Sequence, residues 1–375
     1  GKFARMKSTN VKTVKTGQIN ITKTTRTNGW FSLWQKGADM KKYRLTIILA
    51  LVLLVLSLVS ISIGAVDIKF SDIFKDPTKL RLILVSRLPR LLAILCTGVG
   101  MSISGLIMQK LCSNKFVSPS TGATISGAQL GILLALIIIP SSSMLVRSLF
   151  AFVISLLSTL AFVFFITRIR LKDPVMVPLI GIMLSNIILG ITNFIAYKFE
   201  ATQTISSYLT GSFAGVVAGK YEIVYFVVPL IVLSFIFANH FNIVGMGKDF
   251  SKNLGVNYNV ILILGLCICS LITASIVVVV GSISYIGLII PNIIVMLKGD
   301  KLKGTLVDTA LLGSVFVLAC DILGRLIIMP YELTIDLIVG IIGSILFIAL
   351  IVYKMKYGNK ALNLKEVKND EKDDI

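Results

Sequence analysis

The chain has 375 residues, of which 55% are hydrophobic and only 15% are charged, and its mean hydropathy is +0.91. This composition lies far from that of soluble globular domains and excludes a water-soluble enzyme or binding module. The net charge of +19 is high enough for a nucleic-acid-binding protein, but most basic residues lie in an N-terminal segment and in short loops between apolar runs. We therefore expect no nucleic-acid partner.

The two ends of the chain differ in composition from its middle. Residues 1–39 lack apolar periodicity and carry eight Lys and Arg against one acidic residue, which predicts a disordered N-terminal extension or leader. Met40-Lys41-Lys42 then precedes the first apolar run, as at the start of many membrane proteins. Residues 357–375 alternate in charge and predict a solvated cytoplasmic tail, so we expect the membrane domain over 40–356.

Ten apolar stretches with few charges follow one another from Arg44 to Lys354. A helix needs about 20 apolar residues to cross the hydrocarbon core of a bilayer. The stretches lack the period of two that a membrane β-barrel requires, so we predict an all-α polytopic transmembrane protein. The predicted spans are 44–66, 88–109, 123–140, 147–167, 176–197, 221–239, 258–280, 283–297, 305–323 and 335–353.

The basic residues of the loops predict the topology. With the N-terminus inside, each loop on the cytoplasmic side carries Lys or Arg, and both termini are cytoplasmic. Segment 67–90 violates this rule with six basic residues on the predicted outer side, and its amphipathic part, 67–87, fits an interfacial helix. Segment 198–220 is too polar to span. Its Gly211-x-x-x-Gly215-x-x-x-Gly219 pattern fits either a short re-entrant or extracytoplasmic helix, or plain helix packing.

Motifs for chemistry are missing from the sequence. The nearest approach to a Walker A loop, 215–221, is one residue short and lacks the Ser or Thr for Mg²⁺, and neither His-Glu-x-x-His nor Gly-x-Ser-x-Gly occurs. The five cysteines and His240 have no metal-ligand spacing, so we expect no metal site. Acidic residues in or beside spans are candidates for a proton relay, so a proton-coupled secondary transporter using Asp321 and Asp336 is the alternative.

Three segments carry a family resemblance. They are Ser86-Arg87-Leu88-Pro89-Arg90 with the later Asn114–Pro119, the polar stretch 246–256, and Gly281–Asn292 with its Ile-Gly-Leu-Ile-Ile-Pro run. Over about 44–354 the chain resembles the permease subunit of the iron-siderophore and vitamin B12 (type II) ABC importers. Asn292 stands where that family usually has His, and Asp336 where it commonly has Gly, which favours the iron-siderophore subgroup.

The resemblance implies a bacterial plasma-membrane subunit of ten helices that performs no chemistry and needs no cofactor. It implies pairing with a second permease, identical or paralogous, around a central pathway. ABC ATPase subunits, which bind ATP and Mg²⁺, would attach at the cytoplasmic face. An extracellular substrate-binding lipoprotein would dock outside and deliver the iron-siderophore.

The resemblance also implies roles for particular residues. The outer arginines Arg87, Arg90 and Arg325 would dock the binding protein, whereas the alternatives are contact with lipid headgroups and, for Arg325, pairing with Asp321. Segment 241–257, here called the coupling segment, is expected to form two short helices joined by a turn and to contact the ATPase. Its implied contact residues are Gly247, Lys248, Asp249, Ser251, Leu254, Gly255 and Val256. Asn114 and Phe116 would narrow the cytoplasmic exit of the pathway.

Overall fold

The structure is a computed structural model that describes residues 28–63, 81, 83–169, 176–219, 221–299, 302–329 and 331–352, with side chains from Tyr43 onward except Lys303. The chain divides into two compact units, residues 1–44 and 45–375. The described part of the first unit is one stretch of helix. The second unit contains the remaining helices, and regular structure within the described ranges is helical throughout.

The described helices fall into long and short classes. The long ones are α1 (Asn28–Ser62), α2 (Leu88–Leu111, preceded by a π-helical turn Ile83–Arg87), α4 (Met144–Arg168), α5 (Met176–Lys198), α10 (Tyr258–Val280), α12 (Leu302–Leu326) and α13 (Ile335–Val352). The short ones are α3 (Thr124–Ile138), α6 (Thr202–Leu209), α7 (Val227–Ile236, preceded by a 3-10 turn Glu222–Phe226), α8 (Ala238–Val244), α9 (Lys248–Asn253) and α11 (Ile286–Lys298).

A helix lies at each of the ten predicted spans, with ends mostly within a few residues of those expected. Among the described residues, seven helices are long and apolar enough to cross a membrane, or eight if the pair Glu222–Ile236 and Ala238–Val244, bent by 62°, is one span. The 13 residues of α11 would reach only about 20 Å, less than the roughly 30 Å of hydrocarbon. Helix α11 alone is therefore too short to cross the hydrocarbon core.

Helix α2 lies at the centre of the second unit and packs against α10, α11 and α12. Glycine permits two of these contacts. A Cβ on Gly98 would lie 2.6 Å from the Cα of Ser314 in α12, and one on Gly105 would lie 1.9 Å from the carbonyl oxygen of Gly287 in α11. In lipid, no hydrophobic effect drives helices together, so helix association depends on close van der Waals packing of this kind.

The outer helices present apolar side chains to their surroundings. In the most apolar window of α1 only 11% of the residues are buried, against 78% in the window of α2. Large side chains such as Leu54, Phe194 and Ile345 are more than half exposed on α1, α5 and α13. Exposure of this kind is what lipid contact requires.

The glycine-spaced segment is not a continuous helix. Only Thr202–Leu209 forms α6, and residues 210–219 are turns and irregular backbone. Gly211 packs against the carbonyl of Ser282, with a virtual Cβ at 2.3 Å, whereas Gly215 and Gly219 have no atom within 4 Å of theirs. The prediction of a short helix in 198–220 is thus confirmed by α6. The expectation that Gly211, Gly215 and Gly219 share one helix is wrong, because 210–219 is not helical and Gly219 adopts φ +89° in a turn.

Some predictions concern regions that the structure covers only in part. Helix α1 begins at Asn28, so residues 28–39 are helical where we expected disorder, while 1–27 lie outside the described residues. The tail 357–375, residues 64–66 of the first predicted span, and residues 67–80 and 82 of the predicted interfacial segment also lie outside them. The described end of that segment is the π-helical turn Ile83–Arg87.

We expect the replacement Gly105→Ala to destabilise the protein by about 1–3 kcal/mol, because the new methyl group overlaps the Gly287 carbonyl. The matched control is Gly190→Ala in α5, where nothing lies within 4 Å and the better helix propensity of Ala should be neutral or favourable. Thermal unfolding of the detergent-solubilised protein measures the difference. Equal melting temperatures for the two variants would contradict the close α2–α11 contact.

Candidate functional site

The C-terminus of α1 is capped by two arginines from other helices. The four consecutive carbonyls 60–63 each accept a hydrogen bond from a guanidinium group. Arg87 Nη1 donates to Ile61 and, at 3.1 Å, to Ser62, while Arg325 Nη1 donates to Ser60 at 3.1 Å and Ile63 at 3.0 Å. Cations at a helix C-terminus satisfy carbonyls that lack helical donors and oppose the helix dipole.

Arg90 joins this end of the helices to the connection before α13. Its Nη1 lies 2.9 and 2.8 Å from the two carboxylate oxygens of Glu332, and its Nη2 lies 2.7 Å from Asp321 Oδ1. The other oxygen of Asp321 lies 2.6 Å from Arg325 Nη2. Two cations and two anions therefore neutralise one another. Together with Arg87 they form the set here called the arginine cluster (Arg87, Arg90, Asp321, Arg325 and Glu332).

The structure thus brings together the three arginines that the sequence marked for docking, but it engages them within the chain. Arg325 is 6% exposed, and the predicted pairing with Asp321 is confirmed. Arg90 has a side chain only 15% exposed, and Glu332, at 34%, is its more accessible partner. Glu332 is not predictable from the sequence as a partner of Arg90, because the two residues are 242 positions apart.

At the opposite end of α2, residues 112–123 form the gate loop that carries Asn114 and Phe116. Asn114 is buried, and its Oδ1 accepts a hydrogen bond from the Phe116 backbone at 2.9 Å. The ring of Phe116 packs edge-on against Phe347 of α13, with centroids 6.2 Å apart. The side chain of Asn292 in α11 donates to the Lys115 carbonyl at 2.8 Å. The gate loop is therefore fixed between α11 and α13.

A proline in α11 lies beside this contact. Pro291 has no N–H, so the carbonyl of Gly287, four residues earlier, loses its helical donor. Gln109 of α2 is buried and turns its Nε2 towards the carbonyls of Gly287 and Leu288, at 3.4 and 3.3 Å. The hydrogen bond that α11 loses at Pro291 is consequently replaced in part from α2, about one turn before the gate loop.

The coupling segment forms two short helices joined by a turn, as predicted. Helix α8 leads into a turn at Gly245–Gly247, and α9 follows. Ser251 is buried and donates to the carbonyls of Ile243 and Gly247, at 3.2 and 2.8 Å, which closes α9 against α8. Gly247 and Gly255 have φ of +107° and +72°, values that favour glycine at both ends of α9.

Three apolar side chains project from the coupling segment. Met246, Phe250 and Leu254 are 62%, 46% and 55% exposed, and they are spaced four residues apart. Lys248, Asp249 and Lys252 surround them and are also exposed. An apolar group rimmed by charges on a short, fixed knob is the pattern of a protein-binding surface. Leu254 was predicted from the sequence as a contact residue, whereas Met246 and Phe250, which complete the apolar patch, were not.

A second polar cluster holds α1 at Thr46, near the middle of the helix. Asp308 of α12 is buried, forms an ion pair with Lys298 of α11, and accepts a hydrogen bond from Thr46 Oγ1 at 2.5 Å. Three helices meet at this carboxylate. The role of Asp308 is not predictable from the sequence, because an Asp near the end of a predicted span is typical of residues at the membrane interface.

We expect Arg325→Leu to cost about 3–5 kcal/mol, since it removes one of the two cations that neutralise Asp321 and leaves two α1 carbonyls without donors. Arg325→Lys should recover only part of this, because one ammonium cannot reproduce the planar fork. Arg81→Leu, at an exposed position, is the matched control. Thermal unfolding in detergent measures the effect, and a melting temperature equal to that of the control would refute the structural role.

Comparison with known proteins agrees with this architecture. The FecCD transport family model matches residues 51–353. The petrobactin import system permease protein YclN of Bacillus subtilis (strain 168) is 45% identical over 310 residues, which cover 82% of this chain and 98% of that protein. The ferric-anguibactin transport system permease protein FatD of Vibrio anguillarum is 36% identical over 270 residues, 72% of this chain and 86% of that protein.

A solved structure supports the same assignment. It is described as an inward-facing conformation of a metal-chelate type ABC transporter, is 28% identical, and superposes with a TM-score of 0.70 over 82% of this chain and 98% of its own. The resemblance inferred from the three sequence segments is thereby confirmed. The chain belongs to the FecCD transport family, and it is a multi-pass permease of the bacterial plasma membrane.

Proposed function

We propose that the chain is the permease subunit of an ABC importer that carries an iron-siderophore into the cell. The observation that carries the proposal is the family match over residues 51–353 together with the 45% identity to a petrobactin import permease. Separate ATPase subunits supply the energy through ATP and Mg²⁺, and a second permease completes the pathway. We take petrobactin as the test cargo because of that relative.

The topology that we propose has ten membrane-crossing segments and cytoplasmic termini. The helices at all ten predicted positions support it, with α3, α11 and the bent α7–α8 pair as the short or broken segments. Broken segments occur in membranes where other parts of the protein satisfy their backbone. In this orientation the arginine cluster lies outside, and the gate loop and coupling segment lie inside.

The coupling segment is the proposed contact for the ATPase. The exposed Met246, Phe250 and Leu254 would enter an apolar groove, and the surrounding charges would set the register of docking. The residues that we expect around this contact are Gly247, Lys248, Asp249, Ser251, Gly255 and Val256, of which Ser251 holds the knob rigid from within. A rigid knob transmits the movement of the ATPase to α10.

The outer end is the proposed docking face for the binding protein. Arg90 and Arg87 offer fixed cations there, and an acidic side chain of the binding protein would compete with Glu332 for Arg90. Arg325 supports the site by holding Asp321 and α1, because its guanidinium is buried. Asp321 is engaged by two arginines, and among the described residues no observation favours the proton-driven alternative.

Reconstitution tests the proposed function. Proteoliposomes that contain the permease, its ATPase subunits and the binding protein should take up radiolabelled ferric petrobactin when ATP is supplied to the ATPase side. An ATPase that lacks its Walker A lysine is the control and should abolish uptake, since the permease has no such loop. Uptake by the permease alone on a proton gradient would overturn the proposal and favour the secondary transporter.

The ATPase contact has its own test. Phe250→Glu with Leu254→Glu should reduce co-purification of the ATPase at least about tenfold, because two charges would enter an apolar contact. Gln203→Glu, an exposed position in the first turn of α6 and far along the chain from the coupling segment, adds the same kind of charge and should leave co-purification unchanged. If both variants retain the ATPase equally, the coupling segment is not the contact.

A further inference from the structure

A polar cavity of about 440 Å³ lies between α3, α5, the backbone before α11, and the start of α13. Its polar lining includes Ser126, Gln129, Ser185, Asn186, Asn193 and Asp336. The lining also includes Ser120 of the gate loop, but no residue of the arginine cluster or the coupling segment. Asn186 and Asn193 are seven residues apart and therefore project from one face of α5, an otherwise apolar predicted span.

Several of these polar groups have no partner among the described residues. Ser185 is 7% exposed, yet its hydroxyl makes no hydrogen bond. Asn186 and Asn193 are exposed at the cavity, and no hydrogen bond joins their side chains to other described residues. In a membrane protein such groups are costly unless water or a ligand satisfies them. The lining therefore favours water or a polar ligand in the cavity over a lipid chain.

Asp336 supplies the charge of the cavity. Its Oδ1 accepts a single, long hydrogen bond of 3.3 Å from the Ser284 backbone, and no Lys or Arg among the described residues pairs with it. Asp336 lies in the first turn of α13, where the helix dipole stabilises a carboxylate. The dipole explains why a charge is tolerated there, but it does not explain why the other polar residues line the same cavity. Asp308 and Asp321, by contrast, are each paired with a cation.

The backbone around Asp336 is irregular and is bonded to neighbouring elements. Residues 281–285 and 210–219 are non-helical; Ser282 Oγ donates to the carbonyl of Leu209 at the end of α6, at 2.5 Å, and the backbone N–H of Asp336 donates to the carbonyl of Gly211, at 3.4 Å. Non-helical backbone at membrane depth occurs where it is buried in protein or lines a water-filled cavity. The cavity satisfies that condition.

We propose that this cavity is a cargo-contact site of the transport pathway, in which Asp336 receives an ammonium group carried by the iron chelate and the Ser and Asn side chains bind its other polar groups. An unpaired carboxylate in a partly desolvated cavity favours a cation over neutral or anionic groups. The site then discriminates among chelates by the charge of the groups that they carry outside their iron-binding atoms. The inference rests on the proposed function for its cargo, but the cavity can be tested without transport.

The first experiment measures the charge preference of the cavity in the purified permease. Asn193→Cys in a cysteine-free background is labelled with a cationic trimethylammonium-ethyl or an anionic sulfonato-ethyl methanethiosulfonate. We expect the cationic reagent to be favoured at least about tenfold, and Asp336→Asn to remove most of that preference. Glu200→Cys, exposed and outside the cavity, should show no change with Asp336→Asn. No labelling at position 193, or a ratio indifferent to Asp336, would overturn the proposal.

The second experiment measures selectivity in the reconstituted importer. Two ferric chelates are compared that share their iron-binding groups and differ in one amine, free in the first and acetylated in the second. Asp336→Asn should reduce uptake of the free-amine chelate about tenfold relative to the acetylated one, while Glu200→Gln should leave the ratio unchanged.

The outcomes of the transport experiment separate the two levels of the proposal. An equal loss for both chelates would mean that Asp336 only stabilises α13, and an unchanged ratio would mean that the cargo does not contact it; either result overturns the cargo-contact site. Absence of ATP-driven uptake by the unmodified importer would instead refute the proposed function, and the labelling result would still decide whether the cavity prefers cations.

Discussion

Hydrocarbon cannot hydrogen-bond a peptide group, and this constraint governs every place where a helix of this protein ends or breaks. The carbonyls at the end of α1 are satisfied by Arg87 and Arg325, and the carbonyl freed by Pro291 is approached by Gln109. Ser282, in the irregular backbone before α11, donates to the carbonyl of Leu209 at the end of α6. Each break is therefore possible only because a distant part of the chain supplies a donor or an acceptor.

The same constraint explains why the polar residues of the second unit fall into separate groups. In the arginine cluster Arg90 and Arg325 neutralise Asp321 and Glu332, and Lys298 neutralises Asp308, so these ion pairs hold helices together. The polar cavity is different, since no Lys or Arg among the described residues pairs with the carboxylate of Asp336. In a membrane, that difference separates side chains that stabilise the protein from those that contact water or cargo.

Hydropathy predicted the positions of the helices well, because an apolar run of sufficient length has few alternatives in a bilayer. Local turn chemistry predicted the two helices of the coupling segment, with Gly247 and Gly255 at the ends of α9. Pairings were harder to predict, because Arg90 and Glu332 are separated by 242 residues and nothing local couples them. Asn186 and Asn193 did carry a signal, since two amides at heptad spacing in an apolar span indicate a face turned away from lipid.

The two polar clusters on α1 have a mechanical consequence. Arg325 and Asp308 both belong to α12, so α1 is bonded to the same helix near both of its ends within the second unit. The middle of α1 is largely exposed, and lipid offers it no directional contact that would oppose movement. Helices α1 and α12 should therefore move as one rigid pair, while Lys298 and the gate loop contacts connect that pair to α11 and α13. A movement that begins at the coupling segment would then reach the polar cavity through the rearrangement of α11 beside α2, where Pro291 and Gln109 already interrupt the regular helix.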